Sequence, residues 1–156
     1  MRALARLHAD LTREITDLDQ MIGPLVTAIN PALLAVHGVG PDVTGQLLVT
    51  AGGKPDRLRS KASFAMLTGV APLPASSGRT HRHQLNRGGD RQTNNALRRI
   101  VNTRMGTDAR TRAYVTRRTK EGLSKPEIIR CLKRYVAREN YSVLTPTPPE
   151  DLASAA

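Results

Sequence analysis

Apolar residues return every three or four positions through most of this chain, the spacing that gives a helix one buried face. Leu4, Leu7, Leu11, Ile15, Leu18, Ile22 and Leu25 make one such stripe, and the spacing predicts a helix ending near Gly23-Pro24. About three heptads are marginal alone, so residues 1–30 read as a coiled-coil-like arm or as an amphipathic helix folded back on the body. A further helix is predicted from Ser60 to about Thr68, with Phe64, Ala65 and Leu67 inward. Asp90 stands where it can cap a helix that buries Leu97, Ile100, Val101 and Met105 and stops at Gly106. A helix from about Asp108 to Lys120 closes at Gly122, and Ser124-Lys-Pro-Glu127 has capping-box spacing ahead of Ile128, Leu132, Tyr135 and Val136. The expected fold is all-α: the N-terminal arm, a compact helical domain over 31–144, and a 145–156 tail whose composition predicts disorder.

Between the arm and the body lies Leu33-Leu34-Ala35-Val36-His37-Gly38-Val39-Gly40-Pro41, followed by Thr44. The spacing is that of a helix-hairpin-helix: two glycines permit a tight turn, Val39 plugs the space between helices, and amides at the start of the second helix can receive a phosphate. Gly-hydrophobic-Gly also occurs in plain helix turns. Gly38, Val39, Gly40 and Thr44 are therefore candidate nucleic-acid contacts.

Charge narrows the choice of partner. Lys and Arg number 24 against 13 Asp and Glu, a net charge of +11 that steers the chain toward polyanions. From Arg79 to Arg118 there are eleven arginines, no lysine and only two acids, Asp90 and Asp108. Arginine's planar fork binds phosphate bidentately, so this bias points beyond a merely solvated basic face. With no Trp, one Phe and three Tyr, base stacking on aromatic platforms is not the expected binding mode. Cys131 alone excludes an internal disulfide framework. His8, His37, His81 and His83 lack the nearby acids of a metal site, so no metal is expected in this chain. No apolar run is long enough to span a membrane and no signal-peptide core is visible, which suggests a cytoplasmic protein.

The most distinctive chemistry lies in residues 69–95, where Ser76-Ser77 sits in a Pro/Gly-rich loop before the arginine-rich stretch. Either hydroxyl could be a nucleophile beside phosphate-binding groups. Serine needs a base, a metal or cations that stabilise the developing phosphorane charge, and Arg79, Arg82, Arg87 and Arg91 are candidates for the last role. Arg98 and Arg99 remain available on the helix that follows. A serine hydrolase is disfavoured because there is no Gly-x-Ser-x-Gly elbow.

Taken in order, Leu34 to Gly40, Arg57-Leu-Arg-Ser60, Phe64 to Pro72, Ser76-Ser-Gly78, Asn86-Arg-Gly88, Asn95-Ala-Leu-Arg98 and Glu121-Gly-Leu-Ser-Lys125 closely resemble the C-terminal domain of insertion-sequence one-ten family transposases. The resemblance spans about Leu33 to Leu144. His37 stands where the family often has Pro, Val70 for the usual Leu, and Gly89-Asp90 where Gly-Asn is common. Full-length relatives join an N-terminal RuvC-like domain with metal-binding acids, through a coiled coil, to this domain, and a bridge RNA guides them to DNA. The resemblance implies that a serine here attacks DNA to form a phosphoserine link. It places that role on Ser77, which directly precedes the glycine, with Ser76 as the fallback.

Asp10, Glu14, Asp17 and Asp19 fall on a short solvated helix, so the magnesium-binding acids of a RuvC-like half are not visible. The expectation is thus a bacterial transposase piece that binds DNA, pairs with copies of itself through the N-terminal helix and needs the RuvC-like domain, with its Mg2+, to cut. A non-catalytic DNA- or RNA-binding module or regulator explains the charge equally well.

Overall fold

A computed structural model describes residues 2–52, 58–75 and 83–145. Among them are seven helices and one two-stranded ribbon: α1 (Arg2–Ile29), α2 (Pro31–Leu34), α3 (Pro41–Gly52), α4 (Lys61–Leu67), β1 (Leu73–Pro74), β2 (His83–Gln84), α5 (Arg91–Thr107), α6 (Ala109–Lys120) and α7 (Lys125–Leu144). The fold is all-α, as the periodicity predicts. The ribbon is antiparallel, with Leu73 opposite Gln84 and Pro74 opposite His83. Residues 146–156, the bulk of the predicted tail, lie outside the described residues, as do Ser76, Ser77, Arg79 and Arg82.

The centre of the fold is α5, which packs against α3, α6 and α7. Its Leu97, Ile100 and Val101 are fully buried and meet Leu33, Leu47, Phe64, Ile128, Leu132 and Val136 in one core. The polar seam between α3 and α5 is closed by the hydroxyls of Thr50 and Thr93, 2.5 Å apart. That contact fixes how the two helices lie along each other, because buried hydroxyls must find partners.

Helix ends follow the side chains placed there. Ser60 accepts from the Ser63 amide at 3.1 Å while Ser63 Oγ accepts from the Ser60 amide at 2.8 Å, a reciprocal cap on α4. Asp90 caps α5 as expected, accepting from the amides of Gln92 and Thr93. Glu127 accepts from both the amide and the hydroxyl of Ser124 at the start of α7. The Ser124 hydroxyl therefore serves the carboxylate as a donor.

Three local expectations need correction. α1 does not end at Gly23-Pro24 but continues to Ile29, with Pro24 inside it. Proline removes one helical hydrogen bond there, yet Ile22 and Val26 pack beside Gly45 of α3 and Asn30 Nδ2 donates to Val143 O at 3.2 Å, so tertiary contacts hold the last turns. Gly106 does not stop α5. The chain turns at Asp108, whose extended backbone ends α5 while its carboxylate accepts from the Arg110 and Thr111 amides to begin α6. Tyr135, expected inside, is 55% exposed, since Leu132 and Val136 already occupy the buried face of α7.

Candidate nucleic-acid interface

The segment after the ribbon is sewn onto the ends of α4 and α5 by close backbone contact. Gly69 has φ +68°, and Gly89 passes so near it that a Cβ on Gly89 would lie 2.2 Å from the Gly69 nitrogen. Only glycine fits at that crossing. The Asp90 amide donates to Leu67 O at 2.7 Å, and Asn86 bridges by donating to Met66 O at 3.1 Å while accepting from the Gly88 amide at 3.0 Å. These bonds fix the start of α5 and set Arg87 and Arg91 on one rim.

Asn94 is the hinge pin of the arrangement. Its Nδ2 donates to Thr68 O at 2.8 Å, and its Oδ1 accepts from Lys133 Nζ of α7 at 2.7 Å. Arg87, Arg91, Asn94, Asn95, Arg98 and Lys133 thus surround a cavity of about 600 Å³ whose lining includes no Asp or Glu. Burial, followed by the positive charges of Arg98 and Arg130, holds the Lys133 ammonium below the usual lysine range. A half-buried cation among like charges, with no carboxylate in the lining, is a place where an arriving anion relieves repulsion.

A second cavity of about 610 Å³ shares Gly69, Leu85, Asn86 and Lys133 with the first. It runs along β2, past His83 and Gln84, to Arg130 and Arg134 of α7. Glu127 is its one carboxylate.

Of the residues singled out from sequence, Arg87, Arg91 and Arg98 come together in the cleft. Arg99 points elsewhere and pairs with Asp42 at the start of α3. Gly38 has φ +80°, and its α-carbon backs onto α5, where a Cβ would lie 3.3 Å from Ile100 O. Val39 is buried. Thr44 is fully buried too, its hydroxyl donating to Gly40 O at 3.0 Å, while nothing lies within 4 Å of where a Gly40 Cβ would stand. The first helix of this unit, α2, is a single turn capped by Asn30. His37 Nε2 is 2.8 Å from Thr107 Oγ1. The candidate nucleophiles Ser77 and Ser76, with Arg79 and Arg82, belong to the span between β1 and β2, outside the described residues.

Lys133, Arg130 and Arg134 also line these cavities, and the apolar periodicity of α7 does not mark them. A lysine one position after the buried Leu132, with arginines three before and one after it, was the available signal. Among the described residues no three His, Cys, Asp or Glu side chains converge. No helix among the described residues is long and apolar enough to cross a membrane.

No curated protein matches this chain. Residues 30–116, more than half of its length, do match the family model described as Transposase IS116/IS110/IS902 family, and the chain belongs to that family of transposases.

Proposed function

We propose that this chain is the nucleophile-bearing, DNA-binding half of a recombinase, and that the cleft of Arg87, Arg91, Arg98 and Lys133 holds backbone phosphates next to the serine loop. The observation that carries it is the carboxylate-free lining of that cleft around a half-buried lysine. Lys133 is held by Asn94, and the Gly89 crossing sets the backbone that carries Arg87 and Arg91, so a phosphate meets cations on a set framework, which is where electrostatic stabilisation of a phosphorane gains most. Ser77 falls between β1 and β2 in the chain, and β2 borders the cavity that shares Lys133 with the cleft. In the reaction, Ser77 Oγ forms a bond to phosphorus and loses its proton, the P–O bond to the leaving strand breaks, and the departing oxygen is protonated. The Gly38-Val39-Gly40 turn adds a backbone contact of the helix-hairpin-helix kind, and α1 pairs with α1 of a second copy. Bridge RNA and a RuvC-like domain with Mg2+ belong to the same proposal.

The test is covalent trapping. The full chain, supplied with a RuvC-like domain of the same family and a suicide DNA substrate, is expected to yield a protein–DNA adduct that Ser77→Ala abolishes and Ser76→Ala retains. An adduct that survives Ser77→Ala rejects the nucleophile. DNA binding without any adduct in the complete system favours a regulator over a recombinase half.

A further inference from the structure

Helices α6 and α7 bring two of the three tyrosines together. The rings of Tyr114 and Tyr135 stand edge to face, centroids 5.8 Å apart at 81°. Both line two adjoining cavities, one of about 570 Å³ and one of about 270 Å³. The smaller is bounded by Arg117, Arg118, Arg134 and Arg138 and has no carboxylate in its lining. Arg117 and Arg118 lie over the Tyr114 ring at 5.3 and 5.9 Å, so that ring is taken, whereas Tyr135 is 55% exposed. The larger cavity is different in kind. Arg104 enters it, held through Nε on His37 O and Nη1 on Glu139, both at 2.7 Å, and its Nη2 is buried with no partner.

We infer that this α6–α7 cleft is a second nucleic-acid site that takes one unpaired nucleotide, its base against Tyr135 and its flanking phosphate among Arg117, Arg134 and Arg138. An exposed aromatic ring stacks any base, and the arginines around the smaller cavity, of which Arg117 also reaches Glu121 at 3.7 Å, suit a phosphate. A paired base is unavailable for such stacking, so the site selects single strands, loops or extruded nucleotides. Composition argues against aromatic binding because tyrosines are so few, but the fold concentrates them where the arginines are. The inference rests on the chain's being a nucleic-acid binder, and its smaller cavity shares no lining residue with the cleft of Arg87, Arg91, Arg98 and Lys133, although Arg134 also borders the cavity beside that cleft.

The test compares a single-stranded oligonucleotide carrying 5-iodouracil with a blunt duplex of the same sequence, by fluorescence anisotropy and photocrosslinking to the full chain. Tyr135→Ala is expected to weaken single-strand binding about tenfold and to leave duplex binding unchanged, and Tyr135→Phe to bind as the parent does. The crosslink is expected on Tyr135 or Tyr114. Unaltered single-strand affinity in Tyr135→Ala overturns the inference, as does a crosslink mapping elsewhere. So does displacement by an acidic peptide with no uracil crosslink, which would make this face a protein-docking surface. If duplex binding still depends on Lys133 in those cases, only the second site is lost. If the parent chain binds neither probe, the proposed function fails with it.

Discussion

Gly89 crosses Gly69 so closely that its α-carbon has no room for a substituent: a Cβ on Gly89 would lie 2.3 Å from the Gly69 α-carbon. This crossing joins the end of α4 to the start of α5 and aligns the basic cleft. Gly89→Ala is expected to destabilise the domain by about 2–3 kcal/mol, since backbone atoms must move to admit the methyl group. Gly88→Ala, whose Cβ would meet Asn86 Oδ1 at an ordinary 3.6 Å, should stay within about 0.5 kcal/mol. Urea denaturation midpoints distinguish the two.

Acid should loosen the helix starts before the core. Hydrogen bonds from the Thr111 side chain and amide hold the Asp108 carboxyl below the usual carboxylate range, and the Ser124 hydroxyl and amide do the same for Glu127. A lowered folded pKa contributes stability above the unfolded value and loses it as pH falls through the folded value. Stability is therefore expected to decline on the acid side of the usual carboxylate range. Asp108→Asn with Glu127→Gln should flatten that decline in denaturant midpoints measured against pH.

Lys133 predicts an opposite pair of alkaline effects. Its ammonium is held below the usual lysine range, so between its folded and unfolded pKa values the unfolded chain binds more protons and stability rises with pH. Over the same window phosphate affinity falls, because the cleft loses a charge. Lys133→Arg should remove the alkaline loss of DNA affinity, and Lys133→Met should bind weakly throughout; anisotropy titrations across the alkaline range measure both.

Along α1, Leu4, Leu7, Leu11, Leu18 and Leu25 are all exposed, at intervals that keep them on one seam. Pairing with the same helix of a second copy, as proposed, would bury that seam. Sedimentation should show a concentration-dependent dimer that Leu11→Glu with Leu18→Glu converts to monomer, with the helical body unchanged in its melting. A parent chain that is monomeric at high concentration would exclude the pairing.

The helices were readable because their signals are local. Asp90, Ser60 and Glu127 sit beside the amides they serve, and the three-to-four spacing of Leu97, Ile100 and Val101 marks the buried face of α5. Pro24 misled because proline's local cost is outweighed by packing of Ile22 and Val26 on α3, which no window of neighbouring residues contains. The candidate site was half legible. Arginine density singled out Arg87, Arg91 and Arg98, but Lys133 joins them only through Asn94, 39 positions earlier. Arg99 shows the reverse limit: adjacent to Arg98 in sequence, it turns about 100° away on the helix and meets Asp42.

The central claim is that the cleft of Arg87, Arg91, Arg98 and Lys133 holds nucleic-acid phosphates, and the dependence of DNA affinity on salt tests it most directly. Each phosphate contact contributes about 0.9 to the slope of log affinity against log salt. Arg98→Ala with Lys133→Met should weaken binding to a short duplex and reduce that slope by roughly 2, while Arg13→Ala, on α1 beside Asp10, leaves it in place. An unchanged slope in the double variant, or an equal loss from Arg13→Ala, would contradict the claim and reduce the cleft to part of a diffuse basic surface.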